Sequence, residues 1–174
     1  MRRRGDRIRW ELEAFEVDLL QRLGRGLGAT LDDQDPADPG VARLFPSTVT
    51  GDDEADAELR SMIRDDLERG KRAGLEALAA VLDRAAPVRG SQRLRVDLVD
   101  DEPLLVLGVL NDVRLTLAAR IRVEELDRAS LGEDDPEAQV LAVVDHLAWY
   151  QEQLLGILDP ASVAFHAEVD PDTL

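Results

Sequence analysis

With 174 residues and a formal charge of −16 at pH 7, the chain is long enough for one domain with a real core and too acidic for a broad grip on a nucleic-acid backbone. It has no cysteine, which excludes disulfides, thiolate metal sites and thiol chemistry. The basic start Met1-Arg2-Arg3-Arg4 leads into no apolar h-region, and no run approaches the roughly 18 apolar residues of a membrane span, so a soluble cytoplasmic protein is expected.

Arg7-Ile8-Arg9-Trp10-Glu11-Leu12 alternates strictly and predicts a strand with Ile8, Trp10 and Leu12 facing in. Residues 13–31 follow as a helix, with Phe15, Leu19, Leu23 and Leu27 on its apolar stripe. Asp32 to Gly40 reads as a loop from its Asp, Pro and Gly content, Val41 to Phe45 as one helical turn before Pro46, and Ser47 to Gly51 as irregular. A long helix is expected over residues 53–85, its apolar face formed by Leu59, Ile63, Leu67, Leu78 and Val81. Gly70 and Gly74 fall on that face, each costing roughly 1 kcal/mol against alanine. Close approach of another helix or of the chain terminus, or a local bend, is the expected compensation.

Arg93-Leu94-Arg95-Val96-Asp97-Leu98 repeats the pattern of residues 7–12 and is the second strand. Parallel pairing would set arginine against arginine throughout. Antiparallel pairing sets Arg7 opposite Asp97 and Glu11 opposite Arg93, leaving only Arg9 against Arg95. A two-stranded ribbon follows, its Ile8, Trp10, Leu94 and Val96 face lying on helices, since a lone ribbon is marginal in water.

Residues 102–123 form the central helix, with Val106, Leu110, Val113, Leu117 and Ile121 at helical spacing and its first turns apolar on the other sides too. Asn111, Asp112, Arg114 and Arg120 ride on it and need partners, because a buried unpaired polar group costs on the order of 1–3 kcal/mol. As structure, Arg114 and Arg120 pair with acids on neighbouring helices such as Asp145 or Glu152, while Asn111 and Asp112 tie down a helix end or loop. As function, the same set lines a pocket. Residues 124–135 hold a short turn, and Pro136 opens a last helix that runs to Leu158, with Gln151 as a core amide inside its apolar stripe. Val163, Phe165, Ala167 and Val169 alternate beyond it.

The expected fold is therefore mainly α: a compact bundle of four main helices with a small two-stranded antiparallel β-ribbon. Residues 1–158 make one helical domain, with the ribbon at 7–12 and 93–98, and residues 159–174 a C-terminal tail or docked arm.

Little in the chain speaks of catalysis. A dimetal site needs a Glu-x-x-His pair on each of two facing helices, and valine stands three positions before both His146 and His166. Nucleophile elbow, Walker loop, dinucleotide fingerprint and zinc pattern are all missing, so no catalytic residue, metal or cofactor is assigned. Charge departs from the acidic background at the ribbon, where Arg2, Arg3, Arg4, Arg7, Arg9, Arg93 and Arg95 gather on the outer face. One reading is edge protection and solubility. The other is contact with an acidic partner or with nucleic acid, between which arginine alone cannot choose.

Five motifs in order are Asp38-Pro39 with Arg43-Leu44-Phe45-Pro46; Glu58-Leu59-Arg60; Asp66-Leu67 with Gly70-Lys71-Arg72; Leu110-Asn111-Asp112-Val113-Arg114-Leu115 with Arg120; and Asp145, Leu147, Gln151-Glu152 and Leu154. Over residues 7–158 the chain resembles the actinobacterial domain of unknown function numbered two-zero-one-seven, whose members are named oxidative-stress transcriptional regulators of the AosR type. The resemblance implies a non-enzymatic regulator that binds an alternative sigma factor or another transcription component. Its implied gene neighbourhood, with the ClpS protease adaptor and a cysteine-synthesis operon, keeps an adaptor or scaffold in regulated proteolysis open. A small-molecule enzyme using Asn111, Asp112 and Arg114 is the third reading. Arg7, Arg9, Arg93, Arg95, Arg43 and Arg60 are the candidate partner-binding residues, and Asn111, Asp112, Arg114, Arg120, Asp145, Gln151 and Glu152 the structural polar network. The charge speaks against direct DNA binding without excluding it, and a homodimer stays open. Val106 stands where that family's pattern has tryptophan, Ala118-Ala119 where it has Gly-Thr, and His146 where it has an aromatic. Without cysteine, a stress signal would come through a partner's thiols or by another route.

Overall fold

The computed structural model describes residues 1–46, 54–132 and 134–159, with the backbone alone for 54–61. The strands lie at one end. Strand β2 (Arg7–Leu12) buries Ile8, Trp10 and Leu12, and pairs antiparallel with β4 (Leu94–Leu98), which buries Val96 and Leu98. Its register sets Arg9 opposite Asp97 and Glu11 opposite Arg95, two residues from the expected one. A two-residue shift keeps every side chain on its own face, so hydrophobic burial cannot separate the two registers. Charge separates them: the observed register replaces an Arg9–Arg95 clash by a forked Arg9–Asp97 pair at 2.9 and 3.3 Å.

The expected two-stranded ribbon is corrected to a four-stranded antiparallel sheet of order β1-β2-β4-β3. Strand β1 (Arg2–Arg4) returns through a two-residue turn with Gly5 at φ 65°, a hairpin signal that the basic run concealed. Strand β3 (Ala86–Pro87) is a two-residue edge, where a proline costs no ladder bond.

Helix α1 (Ala14–Asp33) starts on a capping box between Glu13 and Glu16. It buries Val17, Leu20, Leu27, Thr30 and Leu31, whereas Phe15, expected inside, is 60% exposed. The reason is that Gly24 and Gly28 belong to the inner face, resting on Leu75 and Leu78, so a stripe drawn through large side chains alone was rotated. Helix α2 (Pro39–Leu44) begins earlier than expected, on an Asp38 cap that accepts from the Gly40 N–H at 2.8 Å.

Helix α3 (Glu54–Asp83) buries Leu78, Val81 and Leu82 at its C-terminal end, but Ile63 and Leu67 stand 39% and 41% exposed, correcting an apolar face expected to be buried along its length. The two glycines also part company. A Cβ on Gly74 would lie 2.8 Å from Val109 Cγ2 and 3.4 Å from the Leu105 carbonyl oxygen, so here α3 meets its neighbour backbone to side chain; a Cβ on Gly70 would meet nothing within 4 Å.

That neighbour is α4 (Glu102–Arg120), which buries Val106, Val109, Leu110, Asp112, Val113 and Thr116 and touches α1, α2, α3 and α5. It stops three residues short of the expected end, where Arg122 takes φ 47°. A 3-10 turn (Arg128–Ser130) leads to α5 (Pro136–Leu158), whose Leu141, Val144, Leu147, Tyr150, Gln151 and Leu154 are buried. Trp10 closes the sheet onto this helix, its ring edge-on to Tyr150 at 5.0 Å. The fold is mainly α, as expected. The readings of Ser47 to Gly51, of the Leu59 side chain and of residues 160–174 fall outside the described residues.

Gly74→Ala should destabilise the protein by about 1–3 kcal/mol through overpacking on Val109. Gly70→Ala should leave stability unchanged or raise it by up to about 1 kcal/mol. Urea denaturation of the two variants checks this; equal effects would sink the close-contact account of Gly74.

Candidate interaction surfaces

The polar set on the central helix divides into separate pairs. Asp112 accepts from Lys71 Nζ at 2.7 Å, with both side chains nearly enclosed at 12% and 14% exposure. Neither arginine of α4 takes part, and Lys71, the chain's only lysine, is the partner that the helix pattern did not name. Arg120 turns to the other side, forking onto Asp38 at 2.5 and 3.2 Å and donating to Thr30 Oγ1 at 2.8 Å, which ties α4 to α1 and the start of α2. Asn111 Oδ1 accepts a long bond of 3.5 Å from Gln151 Nε2, while the buried Gln151 Oε1 has no partner among the described residues.

The expected pairing of Arg114 and Arg120 with Asp145 or Glu152 is therefore corrected. Asp145 pairs with Arg128 at 3.3 Å on the surface, Glu152 is exposed, and neither Glu152 nor the half-buried Arg114 has an ion pair among the described residues. Asp38, the cap of α2, takes Arg120 instead.

The hydrogen bond from Arg120, helped by the Gly40 N–H, holds the Asp38 carboxyl below the usual carboxylate range against the opposing effect of burial. A similar bond from Arg9 lowers Asp97. A depressed carboxylate contributes stability above its unfolded pKa of about 4, and that contribution is lost as pH falls through the folded value.

A second cluster joins residues far apart in sequence. Glu16 Oε1 accepts from the Tyr150 hydroxyl and lies 3.1 Å from His146 Nε2, while its other oxygen accepts from the Glu13 N–H at 2.6 Å. Burial, and then the Glu16 bond, push the Tyr150 hydroxyl well above its ordinary pKa, so it remains a donor. Oε1 thus joins α1 to α5 and Oε2 caps α1, so both carboxylate oxygens are engaged structurally. No group of three His, Cys, Asp or Glu among the described residues is placed to hold a metal ion.

The outer face of the sheet carries Arg2, Arg4, Arg7, Arg9 and Arg95 beside Glu11 and Asp97. Arg9 is committed to Asp97, and Arg2 to Glu11 at 3.0 Å; Arg7 has only long contacts, 3.6 Å to Asp6 and 3.9 Å to Asp97. Arg4 and Arg95 make no ion pair among the described residues. Arg3 leaves the patch by donating to the Ile157 carbonyl at 2.8 Å. Arg93 precedes β4 as an exposed residue in electrostatic reach of Tyr150. Arg43 belongs elsewhere, on α2 with Glu124 at 2.6 Å, and the Arg60 side chain lies outside the described residues.

A further open surface is a groove of about 500 Å³ between α3 and α4, walled by Ile63, Leu67, Leu104 and Val109, with Gly70 and Gly108 on its sides and the Lys71–Asp112 pair along it. Sequence periodicity read its Ile63 and Leu67 as core.

Fold and surfaces together define a mainly α protein with a small antiparallel sheet, arginine-bearing on its outer side. The chain belongs to the family described as a domain of unknown function, DUF2017, whose model matches residues 1–158. No curated protein and no solved structure matches it.

Two outcomes are expected. Lys71→Met should destabilise by about 3 kcal/mol by leaving Asp112 enclosed without its cation, and pairing it with Asp112→Leu should recover a measurable part of that loss in a double-mutant cycle. Asp38→Asn should lower stability at pH 7 and flatten its fall between about pH 5 and pH 2, measured by denaturation at a series of pH values; an unchanged acid slope would remove Asp38 from the account.

Proposed function

We propose that the protein is a non-enzymatic regulatory module that binds an acidic surface of a protein partner through the outer face of its sheet. The observation that supports this is the cluster of Arg4, Arg7 and Arg95, side chains not satisfied by close ion pairs, on one face of a chain of net charge −16. Arginine forks match carboxylates bidentately. DNA carries a charge about every 1.7 Å, far beyond the patch, and would meet the acidic remainder of the chain. An acidic patch on a protein is bounded and can match the sheet face alone.

The finer reading is an oxidative-stress transcriptional regulator of the AosR type that acts in the cytoplasm by binding a sigma factor or another transcription component. Its support is the order of motifs from Asp38-Pro39 to Leu154. In a chain without cysteine, the oxidative signal enters through a partner's thiols or by another route. The engagement of Asp112 by Lys71 and of Asn111 by Gln151 supports the non-enzymatic reading. Among the described residues no helix is long and apolar enough to cross a membrane.

A triple variant, Arg4→Glu, Arg7→Glu and Arg95→Glu, spares the Arg9–Asp97 fork. It should keep its melting temperature within a few degrees and lose at least about tenfold in capture of transcription components from native extract. Equal capture would end the sheet-face reading. Recovery of protease components in place of polymerase would select a proteolysis adaptor.

A further inference from the structure

Ile63, Leu67 and Leu104 stand 39%, 41% and 62% exposed around the α3–α4 groove, and Met62 beside them 60%. Together they leave on the order of 400 Å² of apolar surface open per copy, the size of the largest apolar patch on an ordinary monomer, which is often a functional one. It is about half of the roughly 800 Å² that a stable dimer takes from each partner, and glycine backbone and polar rim can supply the remainder.

We propose that this groove is the seat of a second copy of the same chain, the two α3 helices crossing antiparallel at Leu67 about a two-fold axis. Three observations select this occupant. Protrusion and hollow share one patch: Ile63 and Leu67 stand out on the helix face that also carries Gly70, and Leu104 stands one turn from Gly108 on α4. An isologous interface needs this self-complementarity, and a crossing at Leu67 sets Ile63 of each copy against the Gly70–Lys71 step of the other.

Next, a Cβ at Gly70 or at Gly108 would meet no atom of the described residues within 4 Å. Unlike Gly74, neither is required by packing among the described residues, yet each costs its helix roughly 1 kcal/mol. The approach of a second backbone accounts for both.

Finally, the charges of the groove are neutralised within the chain, Lys71 by Asp112 at 2.7 Å and Asp66 by Arg69 at 2.5 Å. A strongly charged partner finds nothing there to choose it. Two copies of a −16 chain meet at this neutral patch with little local repulsion, and added salt screens the long-range repulsion that opposes them.

Sedimentation equilibrium of the full chain from about 1 to 100 µM tests the proposal. A monomer–dimer equilibrium is expected for the wild type, tightening as salt rises. Gly70→Leu, which fills the hollow from a Cβ with no described atom within 4 Å, and Leu67→Glu, which places a charge on the axis, should each weaken dimerisation at least tenfold while circular dichroism stays unchanged. At concentrations where all three are monomeric, Gly70→Leu should melt no lower than the wild type. A wild type that is monomeric throughout overturns the proposal. So does a dimer that either variant leaves intact, a dimer that salt dissociates, or crosslinking from position 67 to a different protein while the chain stays monomeric.

Discussion

Where α3 meets α4, Gly74 gives Val109 room to approach, and one turn away Lys71 reaches Asp112. A side chain at Gly74 would push the helices apart and strand the carboxylate in a nearly closed space. Burying the pair adds little net stability, because desolvation offsets most of the attraction, but any rotation of α4 that separates the two ions is costly. With its rotation set on this side, α4 presents Arg120 to Asp38 and Thr30, and Asn111 to Gln151. All four neighbours of the central helix are thus located by polar contacts within an otherwise apolar core.

The sheet is joined to this bundle by aromatic packing and one carboxylate. Trp10 rests edge-on against Tyr150, and the Tyr150 hydroxyl donates to Glu16, which also caps α1. Strand, first helix and last helix meet at that point. The inner side of the sheet is therefore fixed by burial, and the outer side by the Arg9–Asp97 fork, so the remaining arginines are displayed from a rigid plane rather than from a loop. Rigid display lowers the entropic cost of ordering side chains on binding.

Helix α3 departs from this economy. Its C-terminal part, with Leu78, Val81 and Leu82, completes the core, while Ile63 and Leu67 stand clear of it beside an open groove. The same amphipathic stripe runs through both parts, and the bundle covers only one of them. The arginine face and the apolar groove differ in chemistry.

Periodicity alone was enough to place α1, α3, α4 and α5 and the two long strands, because apolar spacing of 3.6 or 2 reports which face a segment must hide. It also marked the polar residues of α4 as needing partners and the arginines as a patch. What it could not supply was everything that depends on which surfaces meet. The register of β2 against β4 differed by two residues, since such a shift keeps the same faces buried. The inner face of α1 was rotated because Gly24 and Gly28 contribute contact without hydrophobic bulk. Lys71, not an arginine, took Asp112, and Asp38, not Asp145, took Arg120, because ion pairs form between atoms close in space and residues 41 or 82 positions apart carry no local sign of it. The sequence by itself determined the helices, the strands and their amphipathic faces, through local propensity and spacing. Only the tertiary structure decided which faces are covered, which charges are neutralised, and so which arginines and which stretch of α3 remain open, because coverage is a property of neighbours and not of the segment.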